Sequence, residues 1–324
     1  MIIMENLLER IEKALQAVPY PAQPEGLYEP VDYVLSSGGK RVRPMLMLLA
    51  YGLYRDDLEA ILPAAVGLET YHNHTLLHDD LMDSADMRHG RPTVHRRWDD
   101  NTAILSGDVM LIMAFRRVMQ AGCAGRERLL DLFARTAEEV CRGQQYDVNF
   151  ERRTDVSEAE YLEMIRLKTS VLLACAAAMG AIGAAAPDDD VRSLYRFAEC
   201  LGLAFQIEDD YLDTYGDAAV FGKRIGGDIL CGKKTFLLVS ASARADEATR
   251  RELFACLADG EMADDEKIAR VTSIYDRLGI AALCRERIEK YHAEARALLD
   301  ALPVDAARKA PLRAFAESLL GRKS

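Results

Sequence analysis

The sequence predicts an all-α protein, and three observations carry that prediction. Apolar residues recur at helical spacing along almost the whole chain, no stretch sustains the alternation of a half-buried strand, and no turn-bounded hairpin signal interrupts the pattern. The 324 residues, 1–324, read as a single domain without an obvious interior break. Half of them are hydrophobic, enough to bury a sizeable core.

Leu7, Leu8, Ile11 and Leu15 place a first helix, and Leu27, Val31, Val34 and Leu35 a second that stops at Gly38 and Gly39. The proline-rich VPYPAQPEG between them is a connector. KRVRP then leads into a third helix, MLMLLAYGLY, with Pro44 suited to its first turn, so Lys40, Arg41 and Arg43 occupy a glycine loop at a helix start. From Ala64 the pattern is helical through Asp83, and on a wheel of 100° per residue His72, Thr75, Asp79 and Asp83 fall within about 40° of one stripe. The loop SADMRHGRP follows. Helices are expected around Ala103–Met119 and Arg128–Phe150, the second with GQQYD near its end, and over Tyr161–Ala186, beginning YLEMIRLKTS. Arg192–Tyr215 ends in QIEDDYLDTYG, with Gln206, Asp210 and Asp213 on one face. After the glycine- and lysine-rich loop GDAAVFGKRIGGDILCGKK, helical patterns resume at Thr235, break at Asp259 and Gly260, and continue to the end.

The net charge of −11 argues against a nucleic-acid partner, because phosphate backbones are held mainly by clustered Lys and Arg. An anionic substrate would need a local basic patch. The seven cysteines are odd in number, scattered and without CxxC spacing, which suggests neither disulfides nor a zinc site and fits reduced thiols in a cytosol. MIIMENLLERIEKAL carries acidic residues early and lacks an apolar run with a cleavage site, so no signal peptide is expected. Val171–Ala186, mostly Ala and Gly, is shorter than a transmembrane helix and reads as a closely packed core helix.

Two acidic trios with one spacing, Asp79, Asp80, Asp83 and Asp209, Asp210, Asp213, stand out. In each DDxxD the first and last carboxylates lie one helical turn apart and can share a hard cation. Either trio alone could be a solvated helix end. Two equal trios on apolar helices are harder to dismiss; facing one another, they would form a pocket for Mg²⁺, which keeps part of its water shell and joins one or two carboxylates to substrate phosphates. Arg88, Lys168, Lys223 and Lys233 could hold the remaining phosphate oxygens, or could be surface charges. In GGKRVRP, Gly38 and Gly39 let backbone amides approach an anion, Lys40 and Arg43 supply charge, and the next helix adds its N-terminal end. It is not a Walker A loop, because Val34 replaces the first glycine and Arg41 follows Lys40.

In order and spacing, GGKRVRP, HNHTLLHDDLMD, GQQYD, LKTS, FQIEDDYLD and GKRIGGDILCGKK resemble the trans-isoprenyl diphosphate synthases, short-chain farnesyl and geranylgeranyl types, over nearly the whole chain. The resemblance implies the isoprenoid synthase fold, a single-domain bundle of about ten or more helices around a central cavity, and a homodimer. It also implies condensation of isopentenyl diphosphate with an allylic diphosphate. By resemblance, Asp79 and Asp83 bind two Mg²⁺ and Asp209 a third; Asp80, Asp210 and Asp213 look like partners of metal-bound water. Arg88, Lys168 and Lys223, with Lys233, resemble the residues that hold the allylic diphosphate. Gly39, Lys40, Arg43 and His72 look like the isopentenyl diphosphate site, with Phe205 near the hydrocarbon. Thr169 and Gln206 resemble neighbours of the developing carbocation, and Gln144 and Asp147 match the family's GQxxD.

One position departs from the pattern: where the family has two arginines before Gly, this chain has Arg88 then His89. Histidine ordinarily titrates near pH 6.5 and carries partial charge at neutrality, so weaker and more pH-dependent isopentenyl diphosphate binding is expected. His74 and Thr75, five and four residues before the first Asp, resemble the positions that set the floor of the product cavity, and point to C15 or C20 products, C20 preferred. A class I terpene cyclase would carry a different second motif and no GGKRVRP. A non-catalytic partner subunit would be expected to lose one Asp trio, but both are present.

Overall fold

The computed structural model describes residues 4–216 and 225–320. Helices dominate, in the order α1 (Met4–Gln16), α2 (Glu29–Leu35), α3 (Val42–Gly52), α4 (Leu62–Met82), α5 (Val94–Arg97), α6 (Asp100–Met119), α7 (Arg126–Glu151), α8 (Glu158–Ile165), α9 (Val171–Gly183) and α10 (Asp188–Tyr215). Then come α11 (Gly227–Leu230), α12 (Phe236–Arg244), α13 (Glu247–Ala258), α14 (Asp264–Arg277), α15 (Ile280–Ala301) and α16 (Ala306–Leu320). The all-α expectation holds.

The expected loop SADMRHGRP contains a small hairpin instead. β1 (Met87–Arg88) pairs antiparallel with β2 (Arg91–Pro92), Arg88 opposite Arg91. His89 and Gly90 both take positive φ, 51° and 75°, as a type I′ turn requires. His-Gly is a weaker signal for that turn than Asn-Gly or Asp-Gly. The helix expected over Tyr161–Ala186 starts earlier, at a capping box in which Ser157 and Glu160 satisfy each other's backbone N–H groups, and ends at Gly183. It is also interrupted by one π turn, Arg166–Ser170. In the C-terminal part, Asp246 caps α13 through the Thr249 N–H and Gly279 takes a left-handed φ of 69° before α15, two breaks that apolar periodicity did not signal.

The chain divides into two compact units, one from Met1–Ala134, Cys175–Leu194 and Pro303–Phe315, the other from Arg135–Ala174, Tyr195–Leu302 and Ala316–Ser324. In the first unit α4 lies tightly along α6, because a Cβ at Gly67 would meet the Ala114 carbonyl oxygen at 2.8 Å. Leu7, Ile11 and Leu15 of α1 are buried, and Pro44–Gly52 of α3 are buried throughout. The Arg41 guanidinium, 3 % exposed, fastens three elements here. It donates to Glu12 of α1 at 2.8 Å, to Glu69 of α4 at 2.9 Å and to the Leu35 carbonyl of α2 at 2.6 Å.

In the second unit the π turn is wedged between two glycines. A Cβ at Gly143 of α7 would lie 2.3 Å from the Lys168 amide nitrogen, and one at Gly202 of α10 would lie 2.6 Å from the Ser170 Cα. Tyr161, Ile207, Phe236 and Tyr275 are core residues of this unit. Glu158–Gly183 is long and apolar enough to cross a membrane, but its most apolar window is mostly buried inside the protein. The seven cysteines are free.

Candidate active site

In the first unit, the last turn of α4 sends its carboxylates in different directions. Asp79 is half-buried and Asp83, at the C-cap, is exposed, whereas Asp80 is 5 % exposed and points inward. Arg88 of β1 explains the difference. Its Nε and Nη2 both reach Asp80 Oδ1 at 2.8 Å, a charge-assisted contact that neutralises the buried carboxylate. The hairpin is tied to the same turn, since the Ala85 N–H donates to the Asp80 carbonyl at 2.9 Å and Thr93 Oγ1 to the Ala85 carbonyl at 2.7 Å.

The glycine loop takes φ of 76° at Gly38, 131° at Gly39 and 45° at Arg41, a backbone path that only glycine adopts freely. Gly39 and Lys40 are exposed at its tip. Arg41 turns inward to its structural pairs, and Arg43 turns to His72, with Nη1 2.9 Å from Nε2. An arginine can only donate, so this His72 nitrogen accepts and the ring is neutral. Burial, then the Arg43 charge, holds His72 well below the usual 6.5. Burial also pushes Arg43 down to about 10, which leaves it protonated at neutral pH, and its Nε is buried without a partner. Ser37, Asp80, Arg88, His89 and Arg91 line one pocket beside this loop. Sequence reasoning passed over Arg91, which donates to Ser37 Oγ at 3.0 Å and lies 3.8 Å over the Tyr33 ring.

His74 and Thr75 are adjacent on α4, both little more than one turn before Asp79. His74 stacks edge-on with His78 at 4.6 Å and tilts against Tyr71 at 5.6 Å, and Tyr71 meets Phe133 of α7 at 5.2 Å. Burial pushes His74 down to about 4. Thr75 Oγ1 donates to the His72 carbonyl at 2.8 Å. His78 fits a notch at Gly107 of α6, where any Cβ would collide with its ring. Phe133, from a distant helix, had no local signal.

In the second unit the π turn presents two residues of LKTS. Lys168 Nζ pairs with Asp147 Oδ2 of α7 at 2.6 Å, and Thr169 Oγ1 donates to Gln206 Oε1 of α10 at 3.2 Å. Single π turns occur often at functional sites, and this one rests on the glycine of GQQYD. Gln144 is half-buried on α7, and Phe205 and Asp209 are half-buried on α10. Asp210 is 2 % exposed; Tyr161 Oη and, at 2.8 Å, the Phe236 N–H donate to its Oδ2, and Gln206 Nε2 donates to Oδ1 at 3.3 Å. Burial pushes its carboxyl up to about 7. Asp213 accepts the Asp228 N–H at 2.9 Å. Burial opposes the charge on Lys233, but Asp228, Asp210, Asp147 and Asp209 outweigh it and raise its pKa. Lys223 lies outside the described residues.

Among the described residues no group of three His, Cys, Asp or Glu side chains closes on one point. The carboxylate oxygens of Asp79 and Asp83, half-buried and exposed at the end of α4, are hard donors of the kind that Mg²⁺ takes one or two at a time while it retains water.

The family described as polyprenyl synthetase matches residues 24–275. The chain belongs to this family. This polyprenyl synthetase is 34 % identical over 322 residues to a geranylgeranyl diphosphate synthase of Methanosarcina mazei, covering 99 % of this chain and 97 % of the relative. It is 35 % identical over 327 residues to a geranylfarnesyl diphosphate synthase of Natronomonas pharaonis, covering 94 % and 93 %. A crystal structure of a geranylgeranyl pyrophosphate synthase superposes with a TM-score of 0.94 at 42 % identity, over 100 % of both chains. The polyprenyl synthetase is thus a trans-prenyltransferase that elongates prenyl chains, with the isoprenoid synthase fold expected from its motifs.

Proposed function

We propose that this prenyltransferase joins isopentenyl diphosphate head-to-tail to an allylic diphosphate (dimethylallyl, geranyl or farnesyl), giving C15 to C20 trans-prenyl diphosphates with C20 preferred, and releases diphosphate. The observation that supports this best is the state of the two cations that follow the acidic and GQQYD motifs. Arg88 rests on Asp80 and Lys168 on Asp147. An arriving diphosphate can take over each cation, with Mg²⁺ compensating the carboxylates.

Asp79, Asp83 and Asp209 would hold Mg²⁺, three ions with substrate bound, with Asp80 and Asp213 meeting metal-bound water. When bound, Mg²⁺ supplies Lewis-acid stabilisation of the charge that grows on the leaving diphosphate. Arg88, Lys168, Lys223 and Lys233 hold that group's other oxygens. Lys40, Arg43, His72 and His89, with the Gly39 backbone, bind isopentenyl diphosphate, and Phe205 covers its hydrocarbon. The allylic C1–O bond breaks, the isopentenyl double bond attacks C1, and the departed diphosphate takes the proton lost from the adduct. The Gln206 carbonyl oxygen and Thr169 stabilise the positive charge in between.

C20 is favoured by the small Thr75 next to His74, whose ring is closed in by Tyr71 and His78, and the M. mazei relative is named for that product. We also place the enzyme in the cytoplasm as a homodimer, for which the resemblance and the exposed Leu105, Ile112 and Met119 on one side of α6 speak. The purified protein, given Mg²⁺, labelled isopentenyl diphosphate and each of the three starters, should yield mainly C20 diphosphate without a partner protein. No turnover would overturn the activity, and products of C30 or longer the length. Light scattering that finds a monomer would overturn the dimer.

A further inference from the structure

Tyr161 has no part in the reaction above, yet it forms an enclosed pair with Asp210. They are 1 % and 2 % exposed and hydrogen-bonded to one another. The two donors on Asp210 Oδ2 come from separate elements: the Tyr161 hydroxyl on α8 and the Phe236 N–H in the first turn of α12, at 2.8 Å. With Oδ2 filled, Oδ1 faces Gln206 Nε2 at 3.3 Å.

A side-chain amide has a donor end and an acceptor end, and something must choose between its two orientations. The Thr169 hydroxyl cannot make that choice, because it donates or accepts equally well. Asp210 in its ionised form can, because an ionised carboxylate only accepts and so takes the NH₂ end. The Gln206 oxygen is thereby turned to Thr169, 3.2 Å away. In the opposite orientation the amide would present N–H groups to a developing cation and raise the barrier.

We infer that Asp210, backed by Tyr161 and the Phe236 N–H, is a positioning residue that fixes the Gln206 carbonyl oxygen toward the reacting carbon. The assignment rests on the condensation proposed above. Neither Tyr161 nor Asp210 touches substrate; both act through Gln206.

The test is a double-mutant cycle of Tyr161→Phe with Gln206→Leu, assayed with Mg²⁺, isopentenyl diphosphate and the best starter. Tyr161→Phe, which removes only a hydroxyl, should lower kcat roughly tenfold, the scale of one hydrogen bond to a charged group. Both KM values and the Mg²⁺ half-saturation should stay within about twofold, as for an interaction felt only in the chemical step. In the Gln206→Leu background the same change should have no further effect. A tenfold loss that multiplies in that background overturns the assignment, as does an unchanged kcat in the single variant. A raised Mg²⁺ half-saturation, with kcat restored at saturating metal, also overturns it and returns Asp210 to the metal. Should Tyr161→Phe not fold, Asp210→Asn in the same cycle carries the test, with the same overturning outcomes. A wild-type protein inactive in this assay removes the underlying reaction instead, which separates the two failures.

Discussion

Replacing Gly143 by alanine puts one methyl group into the contact that shapes the candidate site. The added Cβ would stand 2.3 Å from the Lys168 nitrogen and 2.7 Å from the Leu167 carbonyl carbon and the Lys168 Cα. These are backbone atoms and cannot rotate away, so α7 and the π turn must part by about 1 Å to reach an ordinary contact distance. Overpacking of this kind costs about 1–3 kcal/mol of stability. Displacing Lys168 and Thr169 by the same ~1 Å costs on the order of a hundredfold in rate, the usual penalty for misplacing a reacting group. Thermal melting and kcat at saturating substrates read the two effects separately. Gly260→Ala is the control, because a Cβ there meets nothing within 4 Å, and it should change neither. If Gly143→Ala keeps both the melting temperature and kcat of the wild type, the wedge does not hold the π turn. If it loses stability alone, the glycine serves packing and not the site.

Three further outcomes are expected. Arg41→Met leaves Glu12 and the buried Glu69 without their cation and should destabilise the fold by about 3–5 kcal/mol in urea unfolding, against little for a surface arginine such as Arg251. His74 has a pKa of about 4 when folded, below its ordinary 6.5, so the unfolded chain protonates first. Its stabilising contribution is complete above pH 6.5 and shrinks by about 1.4 kcal/mol per unit as pH falls toward 4; His74→Phe should flatten urea midpoints between pH 7 and 5, and an unaltered slope would count against this. His89→Arg should lower the isopentenyl diphosphate KM, because a guanidinium pairs with phosphate oxygens through two hydrogen bonds and keeps its charge, and an unchanged KM would remove His89 from that site.

Much of the site's inventory was legible because helical periodicity is local. Asp79 and Asp83, or Gln206, Asp210 and Asp213, share a face wherever the helix packs. The motif order GGKRVRP, DDLMD, GQQYD, LKTS and EDDYLD was equally a property of the chain alone. What could not be read was which member of each set does what. KRVR offers two arginines of identical chemistry, and only the left-handed backbone at Arg41 sends one into the core and the other to His72. DDLMD offers three aspartates, and the hairpin's Arg88 draws only Asp80 inward.

The chain by itself determined the helical class, the two acidic trios, the basic loop and the family to which they point. These follow from spacing and residue type within a few turns. Tertiary structure decided the π turn in LKTS, which depends on Gly143 and Gly202 lying against it from other helices, and the enclosure of Asp210 by Tyr161 and Phe236 from 49 and 26 residues away. Local pattern cannot report such contacts, because their cause is a backbone or a donor brought in from elsewhere in the sequence.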